Sequence, residues 1–228
     1  MTFILLIVFT LGISFWASSQ VNGKYRKYSQ LGVSSGATGA QAAAEILRRE
    51  NIQDVEVVAK PGKLIDHYDP MNKRLVLSEQ NYYGKSVAAV GIAAHEVGHA
   101  IQHARSYSLL NLRMAVAGTT NIANQMVMWL PIIGMFTGIF ATGTGFMIMA
   151  VGWGIIMFFN LITLPVEFDA SARAKKCLGD LAIVRGGQES TGVAKMLDAA
   201  ALTYVAAFLT SLAYLLYYLL PLIGGSDD

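Results

Sequence analysis

Three long stretches without a charged side chain constrain the fold of this chain more than any other feature of its sequence. They run from Met1 to Asn22, from Met114 to Val166 and from Ala199 to Ser226. A helix needs about 20 apolar residues to cross the hydrocarbon core of a bilayer. The first and third stretches have room for one such helix each, and the second for two joined by a tight turn at Ala141–Gly145. The sequence therefore predicts about four transmembrane helices.

Charged side chains are concentrated in the two segments between those stretches. They make up 14% of the chain, against about 25% in a typical soluble domain. All 17 Lys and Arg fall within residues 23–113 and 167–198, and an excess of basic residues marks the loops that stay in the cytoplasm. We therefore expect a multi-pass protein of the cell (plasma) membrane, with both charged segments cytoplasmic and both termini outside. A cleaved signal peptide fits the first stretch poorly, because no basic residue precedes it and no A-x-A-like site follows it.

Polar residues close to or inside the predicted spans have ordinary explanations. The basic clusters at 24–27 and 173–176 are interpreted as contacts to membrane lipids rather than to nucleic acid. Amides at positions 121, 124, 125 and 160 are expected to make interhelical hydrogen bonds, and the alternative is that they line a hydrated path. The single cysteine, Cys177, cannot form an intrachain disulfide and is interpreted as a packing residue.

A metal-binding motif, His95-Glu96-Val97-Gly98-His99, lies in a stretch from Ser86 to His103 that lacks proline and is rich in alanine. Residues four apart on a helix share a face, so His95 and His99 can bind one ion. Zinc lowers the pKa of a bound water to about 7, and Glu96 can accept its proton and pass it to a leaving amine. The motif therefore predicts zinc-dependent hydrolysis. The alternative is an ordinary amphipathic helix with two solvated histidines.

The segment before the motif predicts a small α+β arrangement. Residues 34–50 are predicted as a helix in which Thr38 resembles the first residue of a capping box. Residues 55–58 form a predicted strand, and residues 63–68 and 74–77 form a predicted hairpin. An edge strand beside a zinc site can pair with an extended peptide substrate. A purely structural hairpin explains the pattern equally well.

Catalytic zinc usually has three protein ligands and one open position, so a third ligand is required. Glu167 directly follows the second uncharged stretch, and a hairpin of two spans returns the chain to the side of the membrane that it left. Glu167 is therefore expected near the HExxH helix, although it is far away in sequence. Pro165 suits the first turn of a new helix. The alternative is an interfacial carboxylate beside Arg173.

Other candidates for the site lie on the hairpin and on the HExxH helix. Asp66, His67 and Asp69 are weaker candidates for the third ligand, and His103 is expected to lie near the ligands or in solvent. We predict that His67 is a catalytic residue that lines the cleft and stabilises the developing oxyanion. Tyr68 is the alternative for that role.

These motifs together resemble one family along most of the chain. HExxH followed, after membrane spans, by Glu in an E-F-x-A context is similar to the gluzincins of the HtpX and CAAX prenyl protease type. It more closely resembles the YugP-like family of neutral zinc metallopeptidases. The segments that carry this resemblance are Pro61-Gly62, Asp66-His67-Tyr68-Asp69-Pro70, Leu77-Ser78-Glu79, Ala94-His95-Glu96-Val97-Gly98-His99-Ala100-Ile101-Gln102-His103 and Pro165-Val166-Glu167-Phe168-Asp169-Ala170-Ser171.

The resemblance implies a zinc-dependent integral membrane peptidase. Its zinc ligands are implied to be His95, His99 and Glu167, and its base Glu96.

One position departs from the HtpX-type pattern, in which an Asp four residues after the ligand Glu can orient a ligating histidine. Ser171 occupies that position here, and Asp169 points elsewhere on an ideal helix. The residue that supplies the orienting hydrogen bond therefore stays open.

The predicted fold class is a mostly α integral membrane protein, with about four transmembrane helices plus a small α+β cytoplasmic metallopeptidase domain that carries the HExxH helix. The predicted segments are an N-terminal transmembrane helix at 1–20, a cytoplasmic zincin-like domain at 21–113, a transmembrane hairpin at 114–166, a cytoplasmic helical segment with the third zinc ligand at 167–200, and a C-terminal transmembrane helix with a short tail at 201–228.

The predicted function is that of a zinc-dependent membrane endopeptidase, in which Glu96 assists the attack of a zinc-bound water near the cytoplasmic membrane surface. Its expected substrates are membrane-associated or unfolded polypeptides. The alternative is a non-catalytic zinc-binding membrane adaptor or structural protein, which would not need Glu96. A transporter or channel is disfavoured, because ion pathways usually carry ionisable groups within the membrane. The sequence does not determine the oligomeric state.

Overall fold

The structure is a computed structural model that describes residues 1–138 and 143–224. The described residues form seven α-helices and three β-strands. In chain order these are α1 (Thr2–Tyr28), α2 (Gly39–Arg49), β1 (Glu56–Lys60), β2 (His67–Asp69), β3 (Arg74–Ser78), α3 (Glu79–Tyr83), α4 (Val87–Ala104), α5 (Ser108–Thr137), α6 (Gly143–Asp180) and α7 (Gln188–Gly224). The chain is therefore mostly helical, with one small sheet.

Three helices of the described residues, α1, α6 and α7, are long and apolar enough to cross a membrane. Residues 114–137 and 143–166 of the second uncharged stretch lie in α5 and in the first part of α6, in agreement with two predicted helices. Helix α5 is long enough, but the amides at 121, 124 and 125 lower its mean hydropathy. Part of the predicted turn, Ala141 and Thr142, lies outside the described residues, as does the acidic tail at 227–228, and Gly143–Gly145 begin α6.

The prediction that Pro165 lies in the first turn of a new helix is wrong. Pro165 does not start a new helix, because α6 continues through it without interruption. Proline lacks an N–H and usually breaks or kinks a helix. The residues after Pro165 offset this cost by tight packing, since Val166, Ala170 and Ala174 are buried on one face of α6.

The chain divides into two compact units. One comprises Met1–Trp16, Asn111–Pro165 and Thr203–Asp228, and the other comprises Ala17–Leu110 and Val166–Leu202. In the first unit, Met149, Ala150 and Tyr218 form a small buried cluster. The second unit contains the sheet and the larger core, to which α2, α4 and the second half of α6 contribute.

The sheet of the second unit has β3 at its centre, with the order β1-β3-β2. Strand β2 pairs antiparallel with β3 in the register Tyr68 to Leu75, so the predicted hairpin is confirmed with a shorter first strand. Strand β1 pairs parallel with β3. Strand β2 is therefore an edge strand, and its pairing with a substrate stays a prediction.

Capping residues define where the helices of this unit begin. The predicted capping box at Thr38 and Gln41 is present, so α2 begins at Gly39 rather than at Ser34. The Ser86 hydroxyl accepts a hydrogen bond from the N–H of Ala89 at 3.1 Å and caps α4. Such caps satisfy amide groups that have no partner within the helix. They fix the start of α4, the helix that carries the HExxH motif.

A close approach between α4 and α6 depends on Gly98. A Cβ atom at this position would lie 2.5 Å from the carbonyl oxygen of Ala170. Real Cβ atoms do not come this close to a backbone oxygen, so only glycine allows α6 to lie so near α4. Gly98 lies one residue before His99, and Ala170 lies three residues after Glu167. The contact therefore holds the HExxH helix against the part of α6 that carries Glu167.

We expect Gly98→Ala to lower the free energy of unfolding by about 1–3 kcal/mol, the usual cost of overpacking a tight interior. The measurement is denaturant unfolding of the detergent-purified protein. The control is Gly23→Ala, because Gly23 also lies within a helix but has open space around its Cβ position. Equal stability of the Gly98→Ala and Gly23→Ala variants would contradict the role of Gly98.

Candidate metal centre

Two histidines of α4 and one glutamate of α6 converge in the second unit. The Nε2 atom of His95 lies 3.2 Å from Oε2 of Glu167, and Nε2 of His99 lies 3.6 Å from the same oxygen. Ligand atoms of all three side chains lie within 4.8 Å of one another. Glu167 is only 2% exposed, so its carboxylate is directed into the protein. Glu167, the third ligand predicted from its position after the second uncharged stretch, therefore lies beside the HExxH motif.

The three side chains fit a zinc ion. Atoms bound tetrahedrally to zinc at 2.0–2.1 Å are about 3.3 Å apart, which is close to the observed separations of Glu167 from the two histidines. Two imidazoles and one carboxylate are also a common ligand set of catalytic zinc, and this set leaves a fourth position open. Both the donor chemistry and the spacing therefore suit a catalytic zinc site.

The second ring nitrogen of each histidine is held by a polar side chain. Nδ1 of His95 lies 3.1 Å from the hydroxyl oxygen of Ser171, and Nδ1 of His99 lies 3.0 Å from Oε1 of Gln102. Each Nδ1 can donate its proton to these oxygens, which leaves both Nε2 atoms free to bind a metal. Ser171, which stands where a carboxylate was expected, therefore contacts His95 itself.

Gln102 connects His99 to α6. Its amide nitrogen donates hydrogen bonds to the carbonyl oxygen of Val166 and to Oδ2 of Asp169, both at 2.7 Å. Arg173 donates to the same Asp169 oxygen at 2.6 Å. Gln102 is completely buried, so its hydrogen bonds fix both the amide and the ring of His99.

Gln102 is part of the site although the sequence did not predict it there. Its helical spacing was the available signal, because residue i+3 on a helix faces residue i. Gln102 stands at that distance from His99 within the same helix. Its second partner, Asp169, is the carboxylate that had no expected role.

The carboxylate of Glu96 is held by the edge strand. Its Oε2 atom accepts a hydrogen bond from the backbone N–H of Tyr68 at 3.0 Å. The phenol oxygen of Tyr68 lies 2.8 Å from Nδ1 of His103. Burial, together with the charges of Asp54 and Asp69, raises the pKa of Tyr68 to about 12. The phenol therefore stays protonated at neutral pH and can donate a hydrogen bond.

The hairpin candidates for the third ligand do not join the cluster. Asp66 accepts hydrogen bonds from Ser78 and Asn81, and Asp69 accepts one from the N–H of Met71. His67 is exposed, and its Nδ1 atom lies 2.6 Å from the carbonyl oxygen of Ile65. Across residues 1–138 and 143–224, the group that could hold a metal consists of His95, His99 and Glu167. The catalytic role of His67 stays a prediction.

The acidic neighbours of His99 favour its charged form. Burial of His99 opposes that form, but the hydrogen bond to Glu167 and the charges of Glu96 and Glu167 outweigh the burial, so the pKa of His99 is raised. A metal must displace this proton, because only neutral imidazole is a ligand. The same carboxylates therefore make metal binding sensitive to acid.

The sequence matches known proteins along its whole length. A family model described as "Putative neutral zinc metallopeptidase" matches residues 2–222. The chain is 44% identical over 233 residues to a protein of Bacillus subtilis (strain 168) named "Putative membrane protease YugP", and the match covers 100% of both chains. No solved structure matches the chain.

We expect Gln102→Leu to weaken zinc binding by about 10- to 100-fold, the usual effect of removing a partner that orients a ligand. Leucine fills a similar volume but cannot hold Nδ1 of His99. Competition with a chromogenic chelator measures the affinity, and Gln80→Leu is the control, because Gln80 is an exposed glutamine outside the centre. Unchanged zinc affinity in a folded Gln102→Leu protein would show that Gln102 does not orient His99.

Proposed function

The chain belongs to the family of neutral zinc metallopeptidases, and from this premise we propose that it is a membrane-embedded zinc endopeptidase of the gluzincin type. In this proposal His95, His99 and Glu167 are the zinc ligands, and Glu96 is the general base. The observation that carries it is the convergence of both Nε2 atoms on the Glu167 carboxylate, with both Nδ1 atoms occupied by other partners.

Zinc, when bound, supplies Lewis acidity that polarises a peptide carbonyl and lowers the pKa of water. Glu96 accepts the proton of the attacking water and transfers it to the nitrogen of the leaving amine. The hydrogen bond from the Tyr68 N–H supports this role, because it fixes the carboxylate beside the ligands without making it one. Ser171 and Gln102 hold the two imidazoles in one orientation during the reaction.

Stabilisation of the developing oxyanion is assigned to strand β2, where two adjacent residues are candidates. His67 is the residue predicted from the sequence, and it is exposed on the strand. Tyr68 has the closer connection to the centre, since its N–H contacts Glu96 and its protonated phenol contacts His103. We therefore assign the stabilisation of the oxyanion to the Tyr68 phenol, with His67 as the alternative residue for this role.

We further propose that the chain crosses the plasma membrane four times, with α5 as the fourth span beside α1, α6 and α7. The confinement of all 17 Lys and Arg to two segments supports a cytoplasmic site and outer termini. The proposed substrates are membrane-associated or unfolded polypeptides. The name of the Bacillus subtilis relative, "Putative membrane protease YugP", supports a polypeptide substrate at a membrane.

A non-catalytic zinc-binding protein is the alternative function. Binding alone needs the three ligands and the residues that orient them. It does not need a carboxylate that is held next to the ligands by a backbone N–H, as Glu96 is. The position of Glu96 therefore favours catalysis, and the following experiment separates the two functions.

We expect Glu96→Gln to lower peptidase activity by about two to four orders of magnitude, the range of general-base catalysis, while zinc stays bound. Glu167→Gln is expected to lose both zinc and activity. The measurements are zinc content and cleavage of a casein-like substrate by the detergent-purified protein, with and without chelator.

The control for these variants is Glu79→Gln, because Glu79 is an exposed carboxylate outside the centre. In the same assay, Tyr68→Phe should lower the rate of cleavage more than His67→Ala. The reverse order would indicate that His67, rather than Tyr68, stabilises the oxyanion. Full activity in Glu96→Gln, or activity that survives chelation, would rule out the proposed mechanism. Bound zinc without cleavage of any substrate in a broad panel would favour the binding protein.

The four-span topology predicts the accessibility of introduced cysteines. Cys177→Ser gives a cysteine-free chain, since Cys177 is its one cysteine. In that background Thr2→Cys should react with a membrane-impermeant thiol reagent in intact cells, whereas Lys73→Cys should react only after permeabilisation. Labelling of Lys73→Cys in intact cells would overturn the assignment of the site to the cytoplasm.

A further inference from the structure

The last turn of α4 carries a histidine, His103, that is not among the proposed metal ligands but contacts the edge strand. Its Nδ1 atom lies 2.8 Å from the phenol oxygen of Tyr68, and the centroids of the two rings are 5.8 Å apart. Both side chains are partly buried. His103 stands one helical turn beyond His99 on the same face of α4. The contact therefore joins β2 to α4 next to the metal ligands without using any of them.

The direction of this hydrogen bond decides what the Tyr68 phenol can do. A phenol has a single proton to donate, whereas its oxygen can also accept a hydrogen bond. Burial, followed by the charges of Asp54 and Asp69, raises the pKa of Tyr68 to about 12, so the proton is present at neutral pH. If the phenol donated this proton to Nδ1 of His103, no proton would remain for an oxyanion. The role proposed for Tyr68 therefore requires His103 to be the donor.

Two features of the structure favour a proton on Nδ1 of His103. This residue lies in the last turn of α4, where the unpaired carbonyl groups and the helix dipole favour a positive imidazole. The carboxylate of Asp54 is also near enough to interact with it. The hydrogen bond from Lys73 is the main reason that the pKa of Asp54 is lowered, and a positive charge on His103 adds to the effect. An imidazolium has an N–H at both ring nitrogens, so its Nδ1 atom can only donate.

We propose that His103 is a positioning residue, which donates its Nδ1 proton to the Tyr68 oxygen and so leaves the phenol proton for the oxyanion. A phenol whose oxygen accepts a hydrogen bond is also a stronger donor, because neighbouring hydrogen bonds polarise one another. His103 acts on the reaction through Tyr68. This inference rests on the proposed peptidase function and deepens it, since it states how the phenol proton is directed.

Replacement of His103 by two side chains of equal size tests the direction of the hydrogen bond. Asparagine and aspartate both place a polar atom close to the position of Nδ1, but only the amide can donate. We expect His103→Asn to keep kcat within a few-fold of the unsubstituted chain. His103→Asp should lower kcat about 10²- to 10³-fold, the usual loss of an oxyanion donor, because its carboxylate accepts the phenol proton. The measurement is cleavage of a casein-like substrate at equal zinc content, and KM should change little.

Two controls separate the effect of the hydrogen bond from that of the added charge. Ala104→Asp places a carboxylate at the same end of α4 but at an exposed position, and its rate should stay close to that of the unsubstituted chain. Both His103 variants are also made in the Tyr68→Phe chain, where they should cleave at nearly equal rates because no phenol proton is left to direct. Equal rates of His103→Asn and His103→Asp in the chain that retains Tyr68 would overturn the proposal.

Raman spectroscopy tests the direction of the hydrogen bond without any need for enzymatic activity. The ring doublet of tyrosine has a different intensity ratio when the phenol oxygen accepts a hydrogen bond than when the phenol donates one. Subtraction of the spectrum of Tyr68→Phe isolates the signal of Tyr68 among the 10 tyrosines of the chain. We expect an accepting phenol in the unsubstituted chain and a donating phenol in His103→Asp.

The two readouts distinguish a failure of this inference from a failure of the proposed function. A chain that cleaves no substrate but has an accepting Tyr68 phenol contradicts only the proposed peptidase. An active chain in which the Tyr68 phenol donates to His103 contradicts only the role of His103 and would overturn it.

Discussion

The backbone contact between α4 and α6 at Gly98 is the constraint on which the rest of the centre depends. It sets the distance between the helix that carries both histidines and the helix that carries Glu167. A side chain larger than hydrogen at this point would force the two helices apart, because its Cβ atom would lie 2.5 Å from the carbonyl oxygen of Ala170. The geometry of the proposed zinc ligands therefore rests on a residue that offers no ligand itself. This is also why glycine lies inside the motif, in the middle of a helix where it is otherwise unfavourable.

The second requirement of the centre is that every buried polar group near it has a partner. A buried carboxylate such as Glu167 is costly unless charges and hydrogen bonds compensate for lost water. Here the two imidazoles face it from one side, and Gln102 and Asp169 tie the surrounding backbone and side chains together. These contacts restrict the imidazoles to one orientation before any metal arrives. Preorganisation of this kind lets binding energy go into the ligand bonds rather than into ordering the side chains.

The first unit faces the same requirement in a less polar environment. Asn160 of α6 donates hydrogen bonds to the Ser211 hydroxyl and to the Ala207 carbonyl of α7, as expected for an interhelical amide. The amides of α5 differ, because Asn121 faces outward from its own chain. Similar residues in similar apolar helices thus differ in whether they contact another helix of the same chain.

The sequence by itself determined the spacing of the metal-binding residues, the separation of charged from uncharged stretches and the membership of a zinc metallopeptidase family. These properties are local or compositional, because helical periodicity and side-chain hydropathy do not depend on the rest of the fold. The tertiary structure alone decided which residues hold the ligands, that α6 continues through Pro165, and which face of α5 is exposed. Gln102 and Val166, for example, are 64 residues apart in sequence but share a hydrogen bond. Such contacts depend on how each helix is rotated against its neighbour, and that rotation follows from packing that no single segment of the sequence contains.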